Sequence, residues 1–260
     1  MKTTSTFFRF INYCNIELSN DNEFAIVKTI MEMLADGNIL SLEDFALKAS
    51  ISPASISRFI RKMGYDNYQE FRHSFLSSIT ELNLSRQLSN AKIQVTSGLS
   101  LQEQIFNDSI RNLQVTLQNL DTLKLNHILK VMLESNTVIF VGSDLALNSF
   151  FRVQLDLIAR HIPAYLWKNP DAVQVQLKQI EKNDCIVLLD DSIKRSEILE
   201  STIKQVHLLE CNKILLTQDR NVNYDEYTEI LLYGDESTSI YGIDSLFALS
   251  HLFSYLINFI

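Results

Sequence analysis

A chain of 260 residues that is 46% hydrophobic exceeds the usual single-domain size and carries apolar mass for two cores. Its net charge of −8 excludes a protein coated in positive charge, and the first 80 residues hold eight Lys/Arg against nine Asp/Glu, so nearly all of the acid excess lies beyond them. Cys14, Cys185 and Cys211 form no C-x-x-C pair and the five histidines lack metal-ligand spacing, so no disulfide framework, metal site or cofactor is expected, and the setting reads as reducing and cytoplasmic.

In MKTTSTFFRFINYCN the apolar run is broken by Arg9 and Asn12, unlike a signal peptide, and residues 4–15 read as a short apolar helix or turn. After Ser19-Asn20-Asp21 the pattern predicts a helix with Phe24, Ile26, Val27, Ile30, Met31 and Leu34 inward, stopped by Asp36-Gly37. Ser41 and Asp44 have capping-box spacing, and Leu42, Phe45, Ala46 and Ala49 follow as one apolar face of a second helix. A turn at Ser50-Ile51 leads to a third helix, capped by Ser52, opened by Pro53 and stopped by Gly64. A fourth begins near Asn67, with Tyr68, Phe71, Phe75 and Leu76 available to close the core.

The third helix has two opposed arcs. Ile56, Phe59, Ile60 and Met63 share one, while Ala54, Ser55, Arg58, Arg61 and Lys62 share the other. Small side chains at the tip followed by cations along the flank suit a helix whose end approaches base edges while its side meets phosphates. A solvated basic face on any three-helix domain has the same spacing. Extended to Phe71, the run ISPASISRFIRKMGYDNYQEF resembles the helix-turn-helix of the RpiR family of bacterial sugar-metabolism regulators, with Ser52, Ile56, Ser57, Arg58, Phe59, Lys62, Gly64, Tyr68 and Phe71 in register. The resemblance implies double-stranded DNA as partner, met by Ser52, Ala54, Ser55, Ser57, Arg58, Arg61 and Lys62.

Residues 77–100 are rich in Ser, Asn and Gln and read as linker. A long helix from Leu101 carries Ile105, Ile110, Leu113, Leu117 and Leu120 on one face, and Leu123 to Leu133 forms another. Such a stripe packs on its own domain or pairs with a second protomer. From Thr137 the runs TVIFV, AYLW, CIVLLD, KILLT and EILLY alternate with helices expected at Leu145–Arg160, Asp171–Ile180, Glu197–Leu209 and Asp244–Asn258. This is an α/β pattern with ligands expected past the strand ends, at Gly142 and at Asp190–Ser192. The final LFALSHLFSYLINFI, 15 residues with His251 and Asn258, is too short and too polar to span a bilayer and reads as a buried helix.

The segments VGSDLALNSFFRVQLDLIARHIP and DCIVLLDDSIKRSEI resemble the two signature regions of SIS domains, the phosphosugar-binding module usually fused behind an RpiR reader. Members have V-G-x-G-x-S and S-x-S-G-x-T there. Here only Gly142 and Ser192 match, with Asp144 and Ala146 in the first motif and Asp190, Asp191, Ile193, Lys194 and Arg195 in the second. Three carboxylates stand where an oxyanion would sit, which argues against the usual sugar phosphate. Lys194 and Arg195 either rebuild an anion site or neutralise the aspartates for a polar or cationic ligand.

The expected fold is an all-α helix-turn-helix domain (residues 1–78), a linker (79–100) and an α/β SIS-like domain (101–260) with a mostly parallel five-stranded sheet. The expected function is a non-enzymatic, sequence-specific transcriptional regulator of carbohydrate metabolism, a homodimer or dimer of dimers, with no membrane partner. Its effector site, altered or lost, would be Gly142, Ser143, Asp190, Asp191, Ser192 and Lys194. The alternatives are a SIS-fold sugar-phosphate isomerase and an interaction scaffold that does not bind DNA.

Overall fold

In the computed structural model the described residues are 10–11, 13–15, 20–76, 100–167, 177–190, 197–234 and 242–259. The chain divides into two compact units, Thr4–Ile93 and Gln94–Ile260. All of the expected linker but Ser100, which caps the next helix, lies outside the described residues, as do Asp191, Ser192, Lys194 and Arg195 and the first part of the helix expected at Asp171–Ile180, of which Leu177–Gln179 form a 3-10 turn.

In the first unit, helical residues 10–11 and 13–15 precede α1 (Asp21–Asp36), α2 (Leu42–Ala49), α3 (Pro53–Lys62) and helical residues 68–76. The caps form as their chemistry dictates. Asn20, Ser41 and Ser52 each accept a hydrogen bond from the backbone N–H three residues on, and Gly37 closes α1 at φ +67°. The core is built from Phe10, Tyr13, Ile26, Ile30, Met33, Phe45, Ile56, Phe59, Ile60, Phe71 and Phe75. Two residues expected inside α1 face out: Phe24 is 61% exposed and Met31 43%. At about 100° per residue, Ile26, Val27, Ile30, Met33 and Leu34 fit one arc that Phe24 and Met31 fall outside. Leu76 is also exposed, so Tyr68, Phe71 and Phe75 close this side of the core without it.

The second unit opens with α4 (Leu101–Asn119) and α5 (Thr122–Glu134), and continues as β1 (Val138–Gly142), α6 (Asp144–Ser149), α7 (Phe151–Ala159), β2 (Ala164–Trp167), β3 (Cys185–Asp190), α8 (Glu197–His207), β4 (Asn212–Thr217), β5 (Glu229–Leu232) and α9 (Gly242–Phe259). The helix expected at Leu145–Arg160 is two, broken at Phe150, whose ring is buried against Phe140 and Phe253. The sheet is parallel throughout, in the order β2-β1-β3-β4-β5. Alternate residues serve opposite faces: Val138, Phe140, Val187, Leu189, Ile214 and Leu216 pack with α5, α6, α7 and α9, while Ile139, Val141, Ile186, Leu188 and Leu215 pack with α8. Burial on both faces is why these strands read as continuous apolar runs.

Helix α4 is turned opposite to the usual sense. Its buried residues are Gln104, Asn112 and Thr116, while Phe106 (71% exposed), Ile110, Leu113 and Leu117 (72%) face outward. The inward polar stripe is satisfied by α9: Asn112 Nδ2 and Thr116 Oγ1 donate to Ser245 Oγ at 2.8 and 2.7 Å.

Candidate nucleic-acid interface and strand-end crevice

The α2–α3 turn is set by Ser50 at φ +54°, where its N–H and that of Ile51 reach back to Leu47 O and Ala46 O. Ser52 Oγ then accepts from Ser55 N at 3.2 Å, Pro53 occupies the first turn, and Gly64 at φ +88° ends the segment. With Ile56, Phe59, Ile60 and Met63 buried, the opposite face is left outward: Ser52, Ala54, Arg58, Arg61 and Lys62 are exposed, Ser55 and Ser57 half-exposed. A line of polar groups runs along this face, Ser52 Oγ donating to Ser55 Oγ at 3.0 Å and Arg58 Nη2 donating to Ser55 Oγ at 3.2 Å. It draws the Arg58 guanidinium back toward the N-terminal tip of α3. The Arg61 guanidinium makes no hydrogen bond or ion pair among the described residues.

Lys62 differs from its neighbours. Its Nζ donates to Tyr13 Oη at 2.8 Å and Glu23 Oε1 at 2.9 Å, and Tyr13 Oη donates to Glu23 Oε2 at 2.6 Å. Burial pushes the Glu23 carboxyl upward, but the hydrogen bonds from Tyr13 and Lys62 outweigh it and hold the group below its ordinary range. The same bonds raise Lys62. Sequence reasoning missed Tyr13 and Glu23, which lie 49 and 39 residues from Lys62 and belong to no local pattern.

In the second unit the strand order reverses between β1 and β3, which puts the crevice of an open parallel sheet at the carboxyl ends of these strands. Gly142 and Asp190 end them, and Ser143 follows β1. The Ser143 hydroxyl accepts from Ala146 N at 3.1 Å, capping α6. Asp190 is 4% exposed, its Oδ2 accepts from Thr217 Oγ1 at 2.7 Å and its carbonyl accepts from Tyr233 Oη at 2.5 Å. Thr217 Oγ1 also accepts from Asp219 N at 3.0 Å, so the ends of β3 and β4 are tied through one carboxylate.

Next to them sits a residue the sequence did not mark. Gln218 is 2% exposed, and both its amide oxygen and nitrogen are buried with no hydrogen-bond partner among the described residues. Space for this amide is made at Gly234, where a Cβ would lie 2.3 Å from Gln218 Nε2 and 3.0 Å from Asn112 Oδ1, and whose φ of +63° also favours glycine. Gly234 N donates to Thr116 Oγ1 at 2.9 Å, which joins this corner to the α4–α9 network.

A separate cavity of about 220 Å³ lies by β2, lined by Tyr165, Trp167, Thr137, Ile139 and Asp184, and the Trp167 indole N–H has no partner among the described residues. It is smaller than the roughly 300–1,000 Å³ typical of small-molecule sites. Among the described residues no helix is long and apolar enough to cross a membrane, and no group of three or more His, Cys, Asp or Glu is placed to hold a metal ion.

Residues 13–82 match the helix-turn-helix domain of the rpiR family. No curated protein sequence matches the chain significantly. Among solved structures it is similar to the Vibrio vulnificus NanR protein complexed with ManNAc-6P, with 16% identity and a TM-score of 0.51 over 97% of this chain and 90% of that one. A phosphoheptose isomerase from Francisella tularensis aligns with 16% identity and a TM-score of 0.50 over 64% of this chain and 100% of that one. The sugar isomerase domain of an RpiR transcription factor from Sphaerobacter thermophilus aligns at 14% identity and a TM-score of 0.47 over 62% and 97%. At these identities the likeness is one of fold. Residues 13–82 therefore match the helix-turn-helix domain of the rpiR family, and the chain shares its fold with the NanR protein and, over 64% of its length, with the phosphoheptose isomerase.

Proposed function

We propose that the protein is a sequence-specific DNA-binding regulator of carbohydrate-metabolism genes, with α3 entering the major groove and the α/β domain pairing two copies and sensing a small molecule. The observation that carries this reading is the solvent face of α3. Ser52, Ser55 and Arg58 form a hydrogen-bonded line beside an uncommitted Arg61, on a helix whose opposite face is fully buried. Arg58→Ala and Arg61→Ala should each flatten the dependence of log K on log salt by about 0.9 and leave the melting temperature of the protein unchanged, because each removes one phosphate-neutralising charge and no core packing. Filter-binding or fluorescence titration against the gene's own upstream region reads both. Parent-like slopes for both variants would take α3 out of the groove.

Pairing of two copies is supported by α4, which spends its polar stripe on its own domain and leaves Phe106, Ile110, Leu113 and Leu117 facing outward. A second copy covering this face would also supply the two-fold arrangement by which helix-turn-helix dimers read paired half-sites.

Sensing is supported by Gln218. An unsatisfied buried amide costs about 1–3 kcal/mol, and a ligand with a neutral donor and acceptor would recover it. The buried Asp190 carboxylate at the β3 end disfavours an anion there. A panel of phosphorylated hexoses, pentoses and amino sugars, N-acetylmannosamine 6-phosphate among them, is therefore expected to leave the melting temperature unchanged. Ligand at 100 times its dissociation constant would add ~2.7 kcal/mol, which a thermal-shift assay detects. A clear shift with one of them, abolished by Ser192→Ala, would show a working phosphate cradle.

A further inference from the structure

Lys62 closes α3 beside Arg58 and Arg61, and its place in the sequence assigns it to a DNA phosphate. The side chain is committed elsewhere. Tyr13, from the helical residues before α1, Glu23, from the first turn of α1, and Lys62, from the last turn of α3, form a closed triangle of hydrogen bonds with edges of 2.6, 2.8 and 2.9 Å. The Lys62 ammonium also lies 5.0 Å from the centre of the Tyr13 ring, within cation–π range. The same ring also meets the core: Tyr13 and Phe59 pack edge to face at 5.4 Å. Two side chains of α3, one apolar and one charged, are thus gripped by the same tyrosine.

The Glu23 side chain is 14% exposed and that of Lys62 46%, so the pair is partly buried, and taking Lys62 away to a phosphate would leave the sheltered carboxylate without its cation. Removing the cation from a sheltered, hydrogen-bonded carboxylate costs more than exchanging one exposed phosphate contact for solvent. The carboxylate would also then face the DNA backbone with the same sign of charge.

We propose that Lys62 is a positioning residue, a strut that fixes the tilt of α3 through Tyr13 and Glu23, and that the groove-facing charge of this helix is carried by Arg58 and Arg61 alone. This rests on the assignment of α3 to the groove. The strut explains why a charged residue is placed on the reading side of the helix yet draws its partners from the segments packed behind it. It also sets Tyr13 and Glu23 among the residues on which operator binding depends, though neither is placed to touch DNA.

Affinity for a mixed-sequence DNA duplex, measured across a salt series, separates a strut from a phosphate contact. Lys62→Met with Glu23→Gln removes both charges together, and its log K against log salt should keep the parent's slope, while Arg58→Ala flattens it by about 0.9. Lys62→Glu alone sets two carboxylates against each other and should weaken binding about tenfold or more, and adding Glu23→Lys should restore most of that loss by rebuilding the pair in reverse. A slope flattened in the neutral pair as much as in Arg58→Ala, or an exchange variant as weak as Lys62→Glu, would overturn the strut and return Lys62 to the phosphates. If Lys62→Glu does not fold, the neutral pair decides. Parent-like slopes for both Arg58→Ala and Arg61→Ala would instead reject the groove assignment itself, and the strut's role in binding with it.

Discussion

Phe59→Ala is expected to unfold the N-terminal domain while leaving the α/β domain intact. Phe59 is 3% exposed and lies between Ile56 and Ile60, both fully buried, with Tyr13 edge to face at 5.4 Å. Deleting the ring removes its transfer free energy and leaves a cavity in a core built from five helical segments, a loss of ~3–5 kcal/mol. A domain this small commands only about 5–15 kcal/mol in total and often sits at the lower end, so the variant would be largely or wholly unfolded at physiological temperature. Calorimetry should show the reader's transition lowered or lost with that of the α/β domain unmoved, and duplex binding should fail with it. The contrast with Arg58→Ala is the point of the experiment, since that variant should weaken DNA binding and keep its transition. Two parent-like transitions in Phe59→Ala would mean that the packing around α3 is not what holds the reader together.

How far the sequence carried the structure depended on the range of the signals. Ser41, Ser52, Pro53 and Gly64 act within one turn of themselves, so α2, α3 and the turn between them could be drawn from the residues alone. The strands were equally plain, because a parallel sheet buried on both faces leaves uninterrupted apolar runs. Periodicity identified the apolar face of α4 but not which way it turned. That is decided by Ser245, more than a hundred residues later, whose hydroxyl takes the polar stripe inward. The candidate site was legible to the same extent. The outward face of α3 followed from the 3.6-residue period, whereas the capture of Lys62 required Tyr13 and Glu23 to arrive from other helices. Asp190 was read as a charge offered to ligand because its strand-end position was visible, while Thr217, which takes one of its carboxylate oxygens, is visible only once β4 lies beside β3. Gln218 left no mark at all, since an amide becomes conspicuous only when buried without a partner.

Gly142→Ala is the second large effect, and it separates two roles for one glycine. A strand-end glycine in a SIS-like motif reads as a place where backbone approaches ligand, yet here the neighbouring strand is already in that space. Gly142 pairs with Leu189 in the β1–β3 register, and an added Cβ would lie 2.8 Å from the Leu189 carbonyl oxygen and 2.9 Å from its Cβ. Neither can swing aside, because the oxygen belongs to backbone and the Cβ is fixed to it. β1 and β3 must therefore spread at their carboxyl ends, next to Asp190 and the Thr217 and Tyr233 bonds that tie β3 to its neighbours. Overpacking of this kind costs about 1–3 kcal/mol, and in a domain of this size each kcal/mol lowers the midpoint by about 2–4 °C. The α/β transition should fall by that amount in the absence of any ligand, with the reader's transition unchanged. An unmoved α/β transition would show that the strands part freely at this end, and the glycine would then be explained by what binds in the crevice and not by how the sheet closes.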